Sequence, residues 1–390
     1  MTIEVMPSPM IDLLADMVAI DSVNPSLVSG GAGEREVAAY VADWARDAGL
    51  EVELLEATPG RPSVVVRARG TGRGRSLLLC GHYDTVTVEG MRDPSPRVEG
   101  DRLHGRGAYD MKAGVAAALI ACREAAGLGL AGDVIVAAVA DEEHASLGVQ
   151  EVLATVRADA AIVTEPTELE LVVAHKGFVW SEIEVTGRAA HGSRTHLGVD
   201  AIVKAGPILV GLGALDAELG ARTHPLLGRG SVHASVIQGG EELSSYPARC
   251  VLGLERRTLP GESAADVEAE LASLLAACRD ADADLQVEAR TLLVREPFEV
   301  AQDAEIVATV RTAASEVLGR PPAIAGASYW ADAAFIAAAG IPTVMFGPAG
   351  EGAHAAEEWV SLASTETVAR TLVAVAARVC ACDGTPATAS

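Results

Sequence analysis

The sequence predicts an α/β protein whose central sheet, flanked by helices, is interrupted by an inserted α+β domain. Three observations point there. Short apolar runs at 77–80, 133–140 and 160–163 alternate with segments of helical apolar spacing, the mark of buried strands set between helices. From residue 177 the pattern changes to alternating apolar and polar residues, as on half-exposed strands. After Pro297 the first pattern returns. A chain of 390 residues exceeds one ordinary core. The expected division is therefore one domain made of 1–176 and 295–390, interrupted by an inserted domain at 177–294.

The elements follow in order. Helical spacing over 10–20 ends at Asp21-Ser22-Val23-Asn24-Pro25, and a second helix over 31–49 has Glu34, Val37, Ala38, Val41 and Trp44 at helical spacing. Strands at 51–55 and 63–68 precede the central strand from 77. A helix is expected from 111 to 126, then a strand running into Asp141-Glu142-Glu143-His144, a helix near 148–156, and a strand ending at Thr164-Glu165-Pro166. In the insert, strands at 178–186, 231–238, 249–257 and 284–294 and helices at 198–219 and 263–278 give the β-α-β-β-α-β order of a ferredoxin-like unit. The chain then resumes with a helix over 304–318, a strand at 343–346, a glycine-rich turn leading to His354, and an amphipathic helix over 365–382.

Hydrophobic residues make up 49% of the chain but aromatics only 3%, so alanine, valine and leucine must build the core. The formal net charge of −24 argues against nucleic acid or an anionic membrane surface as partner. No basic segment followed by an apolar run opens the sequence, and no stretch is long and apolar enough to span a bilayer. The six cysteines include no CxxC pair, and Cys380-Ala381-Cys382 reads as structural or incidental. A reduced, disulfide-free, cytoplasmic protein is the expectation.

The chemistry gathers at strand ends. His82 and Asp84 stand two apart at the exit of the central strand, so their side chains share one side. A ligating imidazole needs a carboxylate or carbonyl on its other nitrogen, and Asp84 is a candidate for that or for another partner. Glu142, Glu143 and Glu165 also follow strands, where ligands collect in open α/β sheets. Asp110 follows the turn Gly105-Arg106-Gly107, and His354 ends the late glycine-rich turn. Singly, these residues read as a surface histidine, a solvated acidic turn or a helix-start glutamate. Together, mixed imidazole and carboxylate donors without cysteine suit catalytic zinc, with Co2+ or Mn2+ as substitutes. Five such donors exceed what one zinc takes, and a shared carboxylate would hold two ions roughly 3.5–4 Å apart.

These motifs resemble those of the dinuclear zinc hydrolases that include acetylornithine deacetylase, succinyl-diaminopimelate desuccinylase, aminoacylase and the glutamate-releasing carboxypeptidases. The resemblance runs through Gly81-His82-Tyr83-Asp84-Thr85-Val86, Gly105-Arg106-Gly107-Ala108-Tyr109-Asp110-Met111-Lys112, Asp141-Glu142-Glu143, Thr164-Glu165-Pro166, Ala190-His191-Gly192-Ser193, Arg257-Thr258-Leu259-Pro260-Gly261, and Gly340-Ile341-Pro342 to His354. It implies a zinc-exopeptidase-like catalytic domain with a mixed central sheet and two Zn2+ ions, and an insert at 177–294 that serves as a lid or dimerisation domain. Asp110 would bridge them, Glu143 and His354 would complete one, and His82 and Glu165 the other. Asp84 would orient His82, and Glu142 would be the general base. His191 would help the metal stabilise the oxyanion, reaching across a homodimer in dimeric relatives. Glu165, where the aminopeptidases tend to carry aspartate, favours N-acyl amino acids or short peptides with a free carboxylate. Arg257 is the candidate partner of that carboxylate, with pairing to Glu255 as its alternative role. Ser244 stands where many relatives carry asparagine, which departs from the usual substrate contact. The resemblance thus implies a metal-dependent amidohydrolase of N-acyl-L-amino acids. A carboxypeptidase or dipeptidase is the alternative, and a non-catalytic metal-binding protein keeping the fold is the second. Arg106 and Lys112 read as closing the loops around Asp110. His104, His144, His175, His196, His224 and His233 have no motif support as ligands.

Overall fold

The structure, a computed structural model, describes residues 9–381. The reading of the first eight residues and of Cys382 lies outside that range. The described chain divides into two compact units: Ala174–Glu299 with Gly326–Trp330, and the remainder.

The remainder is a layered α/β unit. Its sheet runs in the order Glu51–Leu55, Ser63–Ala68, Val134–Val139, Leu77–His82, Ala160–Val163, Thr343–Met345, Leu171–His175. The first three strands pair antiparallel. The next pairings, from Val134–Val139 through Leu77–His82 and Ala160–Val163 to Thr343–Met345, are parallel. Strands Leu77–His82, Val134–Val139 and Ala160–Val163 are buried on both faces, which is why they read as unbroken apolar runs rather than alternating ones. Each fully buried Leu or Val side chain there contributes about 1.5–3 kcal/mol of transfer free energy.

Helix Ala113–Ala126 is buried nearly all round and packs on this sheet and on helix Leu362–Val379. Its small residues permit that approach, and at Gly114 a Cβ would stand 2.0 Å from the Thr164 carbonyl. The helix begins at Ala113, not at 111 as expected. Asp110 (φ −112°, ψ 95°) and Met111 (φ −133°, ψ 32°) are not helical, and their peptide is cis. The tail helix Leu362–Val379 starts earlier than expected because Ser361 caps it, accepting the Ser364 N–H.

The second unit has the antiparallel order Ser231–Gly239, Arg249–Thr258, Gly177–Thr186, Gln286–Arg295, with helices Ala201–Leu219 and Ala264–Ala281 completing the ferredoxin-like β-α-β-β-α-β run. Ile183, Val185, Ile208, Leu212, Leu252, Leu271 and Leu275 form its core. Asp200 caps the first helix, and a Ser263–Asp266 capping box the second.

Sequence periodicity missed the short strands. Gly350–Glu351, Trp359–Ser361, Arg102–His104 and Arg97–Glu99 form a small antiparallel sheet. Runs of two or three residues carry no period, and only long-range pairing defines them. This sheet matters to the site: pairing Trp359 with His104 ties the His354 turn to the loop that leads to Asp110.

Gly347 lies so close to the chain after Ala160–Val163 that a Cβ would stand 1.9 Å from the Glu165 carbonyl oxygen. Gly347→Ala is expected to destabilise the protein by about 1–3 kcal/mol, lowering the thermal midpoint by roughly 2–4 °C per kcal/mol. Gly213→Ala, at a helical site with no atom within 4 Å, is expected to be neutral or stabilising by up to about 1 kcal/mol. Thermal melts of both variants check the contrast.

Candidate active site

Three adjacent parallel strands end at one edge of the sheet. Leu77–His82 delivers His82 as its last residue, Val134–Val139 leads to Glu142 and Glu143, and Ala160–Val163 leads to Glu165. The turn at Ala108–Lys112 adds Asp110, and a left-handed His354 (φ 60°) closes the group. His82 Nε2 lies 3.3 Å from Asp110 Oδ1, 3.7 Å from Glu165 Oε1 and 3.8 Å from Glu142 Oε2. His354 Nε2 lies 3.3 Å from Asp110 Oδ2 and 3.0 Å from Glu143 Oε2. Asp110 thus turns one oxygen to each imidazole. The His82, Glu142, Glu165 and the His82, Asp110, Glu143 donor atoms each gather within 4.8 Å of one another.

Hydrogen bonding fixes which nitrogen of His82 faces the carboxylates. Nδ1 lies 3.0 Å from the backbone carbonyl of Asp84. A carbonyl only accepts, so Nδ1 carries a proton and Nε2 is the nitrogen left for a ligand. The Asp84 carboxylate is farther from Nδ1, at 3.6 Å. Its oxygens instead accept the backbone N–H groups of Glu142 (3.1 Å) and Glu143 (3.2 Å) and the Asn24 amide (2.8 Å). One residue therefore orients the imidazole by its main chain and the Glu142–Glu143 turn by its side chain.

Electrostatics show what the cluster lacks. Burial, reinforced by the neighbouring carboxylates, pushes Glu142 and Glu165 well above the usual carboxylate range and Glu143 upward. Burial acts to lower His82, but Asp110, Glu142, Glu165 and Asp84 outweigh it and raise the imidazole. Asp110 and Glu143 push His354 up to about 10. Burial would raise Asp110, but the two imidazoles hold it below its ordinary value. Four carboxylates confined against two imidazoles are short of positive charge, and a pair of divalent cations fits this donor set.

Several supporting residues were missed by sequence reasoning. Glu358 is buried and accepts the N–H groups of Gly107 (3.1 Å), Tyr109 (2.9 Å) and Asp110 (3.1 Å) and Nη1 of Arg106 (2.7 Å), which fixes the turn that presents Asp110. Lys112, which its motif already marked as a loop-closing residue, donates from Nζ to the carbonyls of Met17 and Ile20 at 2.9 and 3.0 Å. Asn24, Glu34 and Arg61 form a buried group behind Asp84. Apart from the Ser26 N–H that Asn24 Oδ1 accepts, the partners that tie this group together are 27 to 117 residues away in sequence, so no local spacing signals it.

In the second unit, His191 is exposed, and its Nδ1 lies 2.8 Å from the Ser193 hydroxyl and accepts the Ser193 N–H at 3.2 Å. An accepting Nδ1 places the proton on Nε2. The Gly192 N–H donates to the Ser244 carbonyl at 2.7 Å. Arg257 is paired with Glu255 through Nε at 2.8 Å and lies over the Phe178 ring at 5.1 Å.

Residues 78–378 match the model of peptidase family M20/M25/M40. The chain belongs to this family. Among curated M20-type relatives, an acetylornithine deacetylase of Proteus mirabilis is 30% identical over 372 residues, covering 91% of this chain and 93% of that protein. One from Vibrio atlanticus is 31% identical over 279 residues, covering 68% and 72%. Among solved structures, a tripeptidase from Staphylococcus aureus aligns with TM-score 0.79 at 19% identity, covering 95% of this chain and 98% of that one. A dinuclear metal-binding M20 peptidase from Bacillus subtilis aligns with TM-score 0.73 at 16% identity, covering 95% and 97%. This M20/M25/M40 chain is thus an amide-hydrolase family member with an α/β fold shared by those structures, and no helix among its described residues is long and apolar enough to cross a membrane.

The charge shortage predicts a pH signature of metal removal in this M20-family protein. Glu142, Glu143 and Glu165 are raised from an ordinary 4.5, and His354 from 6.5 to about 10. In the metal-free state the folded protein therefore binds more protons than the unfolded chain above pH 4.5, and stability is lost as pH rises through the folded values. Asp110 has the opposite sign, but its contribution changes only on the acid side of this window. Thermal melts of chelator-treated and Zn2+-loaded protein from about pH 5 to about pH 9 are expected to diverge, with the stabilisation by zinc growing as pH rises.

Proposed function

We propose that this protein is a metal-dependent amidohydrolase that removes the acyl group from N-acyl-L-amino acids, of acetylornithine deacetylase or aminoacylase type. The observation that carries the reading is Asp110 presenting one oxygen to each imidazole, with glutamates flanking both. Asp110 would bridge two Zn2+ ions, with Co2+ or Mn2+ as substitutes. His82 and Glu165 would hold one, Glu143 and His354 the other. When bound, such a pair lowers the pKa of a water and polarises the amide carbonyl.

The chain's own residues then divide the work. Glu142 is buried beside His82, and its raised proton affinity suits a base that takes the proton from the attacking water and passes it to the leaving amine. Asp84 keeps the Glu142–Glu143 turn and the His82 ring in place. His191 supplies its Nε2 proton to the developing oxyanion, a role that its Nδ1 acceptor contacts support. Arg257 gives Glu255 the edge formed by Nε and Nη2, which leaves Nη1 for a substrate carboxylate. Ser244 is assigned to the substrate loop through its tie to Gly192.

Homodimerisation is part of the reading. Strand Ser231–Gly239 is an edge of the second unit's sheet, with Val236 and Ile237 exposed. Helix Ala201–Leu219 packs along that strand and exposes Val203 at 69% and Val210 at 76%. Residues 205–215 carry no charged side chain. On a chain of net charge −24, an uncharged apolar face with an open strand edge favours a second copy, joined edge to edge. Five free cysteines among the described residues support a reducing, cytoplasmic location.

The deciding experiment is a hydrolysis screen of metal-loaded protein on N-acetyl, N-succinyl and N-formyl amino acids beside dipeptides. Amine release from an acyl series, abolished by chelator, is expected. Release from dipeptides alone would move the protein to the peptidase branch, and silence with two metals bound would favour a non-catalytic protein. On the substrate found, Glu142→Gln is expected to lower kcat by about 10²–10⁴-fold with metal content unchanged. Sedimentation of the wild type is expected to give a dimer, and of Ile237→Lys a monomer.

A further inference from the structure

The Glu142–Glu143 turn is also held from a side that the reaction does not use. Asp141 has a left-handed backbone, with φ of 67°, a conformation that aspartate tolerates better than most side chains but that is still uncommon outside glycine. Its carbonyl accepts the N–H groups of Ala145 at 3.0 Å and Ser146 at 2.5 Å. The Asp141 conformation thus sets the direction in which the chain leaves Val134–Val139 and presents Glu142 and Glu143. Arg61 holds it there, with Nη2 donating to Asp141 Oδ1 at 2.7 Å. Arg61 is itself locked, by a bidentate pair with Glu34 at 2.7 and 2.6 Å and by Ser26 Oγ at 3.0 Å. The Asn24 amide links the two halves, donating to Asp141 Oδ1 at 3.1 Å and to Asp84 Oδ2 at 2.8 Å. Glu34, Asp84 and Asp141 are fully buried, and Arg61 is the cation paired with two of them.

We propose that Arg61 is a positioning residue for hydrolysis, acting through Asp141 to hold the Glu142–Glu143 turn so that both carboxylates face the imidazoles. The proposal rests on the reading of that cluster as an amide-hydrolysing site. Arg61 forms no hydrogen bond to Glu142 or to a proposed metal-holding side chain; its effect passes through one contact with Asp141. A planar guanidinium spans Glu34 and Asp141 at once, and a lysine ammonium does not reproduce that fork.

The test compares Arg61→Lys, Asp141→Asn and the double variant. Asparagine tolerates a left-handed backbone, so Asp141→Asn keeps the local conformation while removing the charge that Arg61 grips. In each single variant kcat is expected to fall about tenfold to a hundredfold, with KM within about threefold and bound zinc unchanged. The double variant is expected to be within about twofold of the worse single one, because both act through one contact. Hydrogen exchange gives a readout that needs no substrate: the amides of 142–146 should exchange faster in both single variants, with those of Leu77–His82 unchanged. Wild-type kcat accompanied only by a lowered melting temperature, or losses that simply add in the double variant, would overturn the proposal. If wild-type protein hydrolyses nothing, the amidohydrolase reading fails, and exchange alone decides: unaltered protection over 142–146 rejects the positioning role, and selective loss supports it. Should Arg61→Lys fail to fold, the kcat and exchange of Asp141→Asn decide in the same way.

Discussion

The structure of this protein is arranged around an electrostatic demand. Glu142, Glu143, Glu165 and Asp110 are brought together at one sheet edge beside His82 and His354. Like charges buried at such distances repel, and burial strips them of water. The folded chain answers in part with protons, raising three of the carboxylates and both imidazoles. Cations placed there would relieve both the repulsion and the desolvation, which is what makes this cluster a candidate metal site.

Rigid surroundings keep the acids from separating. The central strands are buried on both faces, so their ends cannot shift without disturbing the core. Gly114 and Gly347 bring backbone against the chain that carries Glu165. Glu358 gathers the amides of Gly107, Tyr109 and Asp110 and the Arg106 guanidinium. Asp84 gathers the amides of Glu142 and Glu143. In each case a buried carboxylate that touches no other acid of the cluster spends its oxygens on backbone N–H groups, and so converts charge into geometry. These positioning carboxylates are distinct from the acids they position, and the sequence alone does not separate the two kinds.

Much of the site was legible before the fold was known. His82, Glu143, Glu165, Asp110 and His354 each follow a strand or a glycine-rich turn, and those local signals sufficed to nominate them. What was not legible was how Asp84 works. Its spacing from His82 suggested a carboxylate–imidazole pair, whereas its main-chain carbonyl makes the closer contact, 3.0 against 3.6 Å. The early start expected for the helix at 111 failed for a related reason. Met111 fits the helical spacing of the residues after it, but Asp110 and Met111 are not helical, and the amides of Tyr109 and Asp110 bond to Glu358, nearly 250 residues away. For Arg257 the sequence left two partners open, a substrate carboxylate and Glu255, and the folded strand sets Glu255 beside it.

By itself, the sequence determined the alternation of buried strands and helices, the switch to half-exposed strands from 177, and the residue types at the strand ends. Apolar periodicity and glycine placement are local properties, and they follow from the rise and twist of the backbone. Only the tertiary structure decided which oxygen of Asp110 meets which imidazole, that Glu358 anchors the Asp110 turn, and that Arg61, Asn24 and Asp141 form one buried group. Those arrangements join segments far apart in the chain. Their physical cause is the cost of leaving buried polar groups without partners, and most of those partners come within reach only once distant segments have packed together.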